Sequence, residues 1–192
     1  MNDKKLLQLI KNRRSIRKFQ NIVLQKNYIM DLIEGGIYAP SGSNTQCYRF
    51  IIIDKKEDMD FLGKTKLFWL SQVPNAILVY ADLTICTYLK GVRKEIFDKL
   101  PYQDCAMAMQ NIMLLAESKG LGTCIIHLSE QWKTANKIKH YFKLKNTDEL
   151  MGIIAIGYPD EKIDYETTIH AGRLIKRKPL QYYIGVYNGQ TK

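Results

Sequence analysis

YQDCAMAMQNIMLLAESKGLGTCIIH, residues 102–127, passes from one periodicity to another within a few residues. Up to Lys119 the apolar positions Met109, Ile112, Met113 and Ala116 recur at three and four residues, the spacing of one helix face. Cys105, Ala106 and Ala108 add small side chains that allow close packing. Pro101 stands near the start, where its missing N–H loses no hydrogen bond, and Gly120 follows as a stop. From Thr123 the pattern becomes a short apolar run bounded by glycine, hence a strand over 123–128. A long helix over 102–119 therefore runs almost directly into a strand.

Toward the C-terminus, Ser129 is placed to cap a helix reaching Phe142, with Trp132, Ala135 and Ile138 on it. Residues 150–156 form another strand, broken at Gly157 and Pro159. Toward the N-terminus, residues 75–81 are continuously apolar, as in a strand buried on both faces. Residues 48–53 read as a further strand. Residues 3–12 (Leu6, Leu7, Ile10) and 25–38 (Ile29, Leu32, Ile33, Ile37) read as helices, the second stopping before Pro40. Residues 13–23 are basic and then irregular, 41–45 form a polar loop, and 160–192 show no clear periodicity. No GxGxxG follows a strand, and the elements do not alternate as in a Rossmann sheet. Helices packed around a central sheet, in one domain, is the expected class.

Of the 192 residues, 46% are apolar and 25% charged, which suits one domain with a sizeable core. The net charge of +10, from 29 Lys+Arg against 19 Asp+Glu, favours anionic partners such as phosphates and nucleotides. The basic residues concentrate at 11–18 and 173–178 but form no recognisable nucleic-acid module, so nucleic acid is not an expected partner. No apolar run approaches the roughly 18–20 residues of a membrane helix. Met1–Lys5 has no apolar signal-peptide core, and the chain is expected in the cytoplasm. Cys47, Cys86, Cys105 and Cys124 form no CxxC pair and no metal-binding spacing, so they read as reduced packing residues and no metal site is expected.

Four segments carry groups suited to chemistry. Arg13-Arg14-Ser15-Ile16-Arg17-Lys18-Phe19 offers guanidinium forks and a hydroxyl to a phosphate or to a ring edge that gathers negative charge. Ala39-Pro40-Ser41-Gly42-Ser43-Asn44-Thr45-Gln46 can present backbone and side-chain amides to a planar polar ligand. Gly120-Leu121-Gly122-Thr123-Cys124 lets backbone approach a ligand closely. Lys176-Arg177-Lys178-Pro179-Leu180 sets three cations beside a bend. Each has a bland alternative when taken alone: a solvated turn, an ordinary loop, a helix stop, a solvated tail. His127 ends an apolar strand and reads as a structural histidine; His140 reads as a surface helix residue, and His170 falls in the tail. Tyr88, Phe97 and Tyr102 fall where an acceptor pocket would form. No Ser/His/Asp triad is present to supply a conventional acid or base.

In their joint order these segments resemble the FMN-dependent nitroreductase family, over about residues 8–180. RRSIRKF resembles its N-terminal flavin-binding motif, and APSGSNTQ its Pro-Ser-x-x-Asn-x-Gln loop. DCAMAMQNI running on to GLGTC resembles its central helix and following strand, and GIIAIGYP with the late RKPL its closing strand and basic tail. The resemblance implies an α+β fold with a central mixed or antiparallel sheet surrounded by helices. It implies a homodimer with two FMN sites at the subunit interface and residues 160–192 as an exchanged C-terminal arm. It implies that Arg13, Arg14, Ser15 and Arg17 hold the FMN phosphate, ribityl chain and pyrimidine edge, with Arg17 stabilising reduced flavin. Pro40, Ser41, Gly42, Ser43 and Asn44 would line the ring from the other subunit, Thr123 and Cys124 would touch it, and Lys176, Arg177 and Lys178 would complete the phosphate site. NAD(P)H would reduce FMN and FMN an acceptor, by a ping-pong cycle. Departures are Gln46-Cys47-Tyr48 where the family often has Gln-Pro-Trp, Ile125-Ile126-His127 where a Trp often follows GLGTC, and a short ring-covering insertion at about 84–102. These bear on the acceptor, and leave a flavin oxidase or dehydrogenase as the alternative to an NAD(P)H reductase.

Overall fold

Asn75–Asp82 and Asp148–Gly157 are apolar at almost every position because they are the two central strands of the molecule. A computed structural model describes residues 3–65, 67–85, 99–128, 133–164, 167–170, 173–179 and 182–183. The chain divides into two units, Met1–Glu161 and Lys162–Lys192.

In the first unit the elements are α1 (Asp3–Asn12), α2 (Lys26–Ile37), β1 (Tyr48–Ile53), α3 (Lys56–Lys64), β2 (Asn75–Asp82), α4 (Leu100–Ser118), β3 (Gly122–His127), α5 (Lys133–Tyr141) and β4 (Asp148–Gly157). The sheet order is β1-β2-β4-β3, and every pairing is antiparallel. The expected mixed or antiparallel sheet is thus antiparallel throughout. Ile77, Val79, Ala81, Ile154 and Ile156 meet α2 and α4 in one cluster through Ile29, Leu32, Ala108, Met109 and Ile112. Their alternating neighbours Ala76, Leu78, Ile153 and Ala155 are equally buried, as are Met59 and Leu62 of α3 and Ala135 and Ile138 of α5. A sheet covered on both faces explains the unbroken apolar run of β2. The edge strands β1 and β3 are only partly buried.

The helix α4 buries Cys105, Ala108, Met109, Ile112, Met113 and Ala116, close to the face its spacing predicts. It ends in a paired closure: the Leu121 N–H donates to Ala116 O at 2.9 Å and the Gly120 N–H to Glu117 O at 3.0 Å. Gly120 takes φ 74°, the left-handed conformation this closure requires. The irregular segment 13–24 is held across one end of the sheet. Ser15 bridges Thr123, Phe19 bridges Pro159, and the Leu24 N–H donates to the buried Asn75 Oδ1 at 2.7 Å.

Three features depart from the sequence reading. A helix, α3, and a 3-10 turn over Phe68–Gln72 fill a stretch left unassigned. Glu57 and Asp58 in the first turn of α3 and Lys64 in its last match the helix dipole. In the second unit, Thr167–His170 (β5) and Arg173–Lys176 (β6) form an antiparallel hairpin, where no periodicity was expected. Four residues per strand are too few for alternation to stand out. The proposed capping of α5 by Ser129 and its Trp132 lie outside the described residues.

Gly36 of α2 faces α4. A Cβ there would lie 2.8 Å from Ile112 Cγ1 and 3.3 Å from Ala108 O. Overpacking of this kind costs about 1–3 kcal/mol, against a helix-propensity gain of about 1 kcal/mol. Gly36→Ala is expected to lower the urea midpoint of unfolding without changing its slope.

Candidate functional site

The basic run is docked on the start of β3. The Ile16 N–H donates to Thr123 O at 2.9 Å, so Ser15 lies alongside Thr123. Gly122 permits this approach, since a Cβ there would sit 2.7 Å from Ile16 Cγ1. Ile16 is buried as an anchor, while Arg13, Arg14 and Ser15 are half-buried and Arg17 is exposed. The Glu161 carboxylate accepts the Arg17 N–H at 2.6 Å and the Lys18 N–H at 3.3 Å, and the Asp160 N–H donates to Lys18 O at 2.9 Å. Burial holds the Glu117 carboxyl above its usual range, while Arg13 and Arg14 pull it back. Thr123 and Cys124 are buried beneath these cations. Burial pushes the Cys124 thiol up, opposed by Arg17, a hydrogen bond from Ser15 and Arg13, with Glu161 adding to the rise. The result is a cationic, hydroxyl-bearing ledge at the C-terminal end of α4, whose charge and donors suit a phosphate or an anionic ring edge.

The second expected segment lies at the other end of that helix. Gly42–Asn44 is a 3-10 turn rather than an open loop. Ser43, Asn44 and Gln46 all take positive φ, at 51°, 55° and 49°. Ser43 and Gln46 each cost about 1–2 kcal/mol there, and Asn44 costs less, so the conformation must be fixed by its surroundings. The Gln46 N–H donates to Ser41 Oγ at 3.0 Å, and Gln46 Nε2 to Asn44 Oδ1 at 2.9 Å. Asp104 on α4, 2% exposed, accepts the Gly42 N–H on Oδ1 at 3.0 Å. Its Oδ2 faces Thr45 Oγ1 at 3.4 Å and Cys47 Sγ at 3.8 Å. The Tyr48 hydroxyl, where the family often has Trp, donates within reach of Ile37 O and Ala39 O. Burial, with Asp104 second, raises its pKa.

Within one chain the two sets stay apart. Asp104 marks the loop's end of α4 and Glu117 the cationic end, and at about 1.5 Å per residue they are about 20 Å apart. Lys176, Arg177 and Lys178 belong to the second unit, where all three are exposed and Lys178 Nζ lies 5.9 Å from the Tyr182 ring centroid. Tyr102 is exposed and its hydroxyl donates to Glu149; Tyr88, Phe97 and most of the short insertion lie outside the described residues. His127 is exposed, which corrects its reading as a structural residue. It ends an edge strand opposite Gly152, which has no side chain to cover it. Cys47, Cys105 and Cys124 are buried free thiols, as expected, and Cys86 is outside the described residues. Two clefts lie elsewhere, one of about 880 Å³ bordered by Asn21, Asp54, Lys56 and Asp60, the other of about 350 Å³ bordered by Ile22, Tyr28 and Tyr158. Asp104 and Glu161 did not stand out in the sequence reading. Asp104 had a signal, as the one charged residue between Leu100 and Ala116; Glu161 had none short of the fold.

The sequence profile of the Nitroreductase family matches in two overlapping stretches, residues 10–72 and 62–158, and so takes in both ends of α4. The chain belongs to the nitroreductase family. A relative in Archaeoglobus fulgidus, named for NADH dehydrogenase or NAD(P)H nitroreductase activity, is 27% identical over 165 residues, 83% of this chain and 89% of its own. A Parabacteroides distasonis crystal structure with the same description superposes with TM-score 0.77 at 25% identity, covering 97% of this chain and 99% of that one. A nitroreductase of Desulfovibrio desulfuricans, solved in complex with FMN, superposes with TM-score 0.73 at 25% identity over 96% of both chains. The α+β fold expected from the resemblance is therefore the fold observed.

The raised Cys124 thiol has a measurable consequence. The folded chain keeps its proton at pH values where the unfolded chain releases it, so stability from this group is intact below about pH 8.5 and falls as pH rises further. Iodoacetamide at pH 8 should label Cys124 much more slowly in the native protein than after denaturation, read by peptide mass spectrometry.

Proposed function

We propose that this chain is an FMN-dependent NAD(P)H oxidoreductase that works as a homodimer in the cytoplasm and reduces a nitroaromatic, quinone or related acceptor. The observation that carries the reading is the docking of Arg13–Arg17 on Thr123 and Cys124 at the end of α4. FMN, when bound, supplies the redox chemistry, taking electrons from NAD(P)H and passing them to the acceptor in a ping-pong cycle. The protein's part is binding, orientation and charge. Arg13, Arg14 and Ser15 would hold the phosphate and ribityl chain, and Lys176, Arg177 and Lys178 would complete the phosphate site. Arg17 would serve the pyrimidine edge and offset negative charge there. Thr123 and Cys124 would contact the ring, and Pro40, Ser41, Gly42, Ser43 and Asn44 would line it from the other subunit.

The length of α4 supports a shared site. With about 20 Å along the axis between Asp104 and Glu117, one chain's loop and cationic ledge would not meet on a single ring. A two-fold partner with α4 packed antiparallel sets the loop of one chain beside the ledge of the other. The face of α4 that would meet this partner carries Tyr102, Gln103, Ala106, Met107 and Gln110, all exposed and none charged. In a chain of net charge +10 that is an unusual stretch to leave in water. Leu6, Leu7 and Ile10 of α1, which packs beside α4, are also exposed. Residues 160–192 would serve as the arm that embraces the partner.

Added FMN should bind and its visible absorbance should bleach with NADH or NADPH under anaerobic conditions. Failure to take up FMN would sink the reading, and binding with only slow bleaching would favour a flavin oxidase or dehydrogenase. Arg17→Ala should weaken FMN binding by about 10- to 100-fold, the loss of a charge-assisted contact. Met107→Glu should give a monomer by light scattering and lose FMN with the dimer; a flavin-replete monomer would count against the shared site.

A further inference from the structure

The Asp104 carboxylate lies at the base of the 41–46 turn, on the first part of α4, and is 2% exposed. Its two oxygens hold both sides of that turn. Oδ1 takes the Gly42 N–H at 3.0 Å, on the entry side; Oδ2 faces the Thr45 hydroxyl at 3.4 Å and the Cys47 thiol at 3.8 Å, on the exit side. Between these points Ser43 and Asn44 are left-handed, as is Gln46 just beyond Thr45. The bonds from Gln46 to Ser41 and from Gln46 to Asn44 are internal to the turn, and Arg49 of β1 holds only its exit, its Nη1 donating to Gln46 O at 2.9 Å. Gly42 also rests on α4 itself, where a Cβ would stand 3.4 Å from the Leu100 methyls. A buried carboxylate with its donors already in place gains nothing by releasing them, because no water is there to replace them. It therefore selects one conformation of a turn that its own backbone preferences disfavour.

We infer that Asp104 is a positioning residue: it sets the geometry of the 41–44 segment, and through that segment the affinity and electronic environment of the flavin, without touching the flavin. This rests on the FMN-binding reading above. Asp104 sits at the opposite end of α4 from its own chain's cationic ledge, so its effect falls on the site completed by the partner subunit. Asparagine at 104 keeps one oxygen for the Gly42 N–H but presents an amide to Thr45 and Cys47. Alanine keeps neither. The effects are therefore graded, and the conservative variant rescues in part.

The test compares the full-length wild type, Asp104→Asn and Asp104→Ala, each stripped of flavin and titrated with FMN alone. Affinity is followed by fluorescence quenching, the bound flavin's visible spectrum is recorded, and amide exchange is measured over 41–47 with and without FMN. Asp104→Ala should bind FMN about tenfold or more weakly, the loss of a charge-assisted contact. Asp104→Asn should fall between it and wild type. In both, the flavin bands should shift and exchange at 41–47 should quicken while β2 and β4 stay protected. A merely stabilising role would lower the melting temperature but leave affinity per folded molecule, band positions and loop exchange as in wild type; that result overturns the inference. Should Asp104→Ala not fold, Thr45→Val removes only one donor, and it should shift affinity and exchange in the same direction by a smaller factor; no shift overturns the inference. A wild type that takes up no FMN overturns the flavin reading and this inference with it, whereas tight wild-type binding with unaltered Asp104 variants overturns this inference alone.

Discussion

Ile112 is packed against Gly36 on α2 and lies in the same cluster as the apolar face of the sheet. That contact seats α4 so that its two ends are fixed with respect to the strands. At one end the chain closes through Gly120 into β3 and presents Thr123 to the basic run. At the other end Asp104 reaches the turn that precedes β1. Remove the close approach of α2 and α4, and both ends lose their reference. The helix is thus both a wall of the core and the member against which the basic run and the 41–46 turn are set.

Charge follows the same plan. The net charge of +10 sets a general attraction for anions, but the site depends on how a few cations are held. Carboxylates lie behind them, Glu161 on the Arg17 and Lys18 amides and Glu117 near Arg13 and Arg14. Glu161 fixes the backbone of the run through its amides, and the Arg17 side chain stays exposed. Cys124, pushed toward its neutral form by burial, puts no competing negative charge under the ledge. In the proposed site a phosphate or an electron-rich ring edge would meet a basic run whose backbone is already held, and preorganisation of that kind is where binding and electrostatic stabilisation gain most.

Much of this was legible in the sequence, for reasons that differ by element. The helix over 102–119 and the strands at 75–81 and 123–128 are long or apolar enough for period and burial to coincide. The basic run and the Ser/Gly/Asn turn could be picked out by side-chain chemistry, and their order pointed to the family. What was not legible depends on closure over distance. Gly42 and Asp104 are 62 positions apart, and nothing local ties one to the other. Of the left-handed residues, Asn44 is a type that tolerates the conformation, but Ser43 and Gln46 are not, so their identity does not announce it. The β5–β6 hairpin has strands too short to show alternation, and α3 lies in a mixed-charge stretch whose apolar positions are few. His127 reads as a structural histidine from its apolar neighbours, yet the end of an edge strand beside glycine leaves it exposed.

The rigidity of α4 has one more consequence, which concerns change over evolutionary time. A helix converts chain length into angle: one residue more turns everything beyond it by about 100° and carries it about 1.5 Å along the axis. Asp104 and Glu117 now point from α4 toward different partners at a fixed phase. A substitution between them alters a contact, but an inserted or deleted residue would rotate one end away from its partner while leaving the other in place. Between these two positions the side chains that face away from the core can change, but the number of residues cannot.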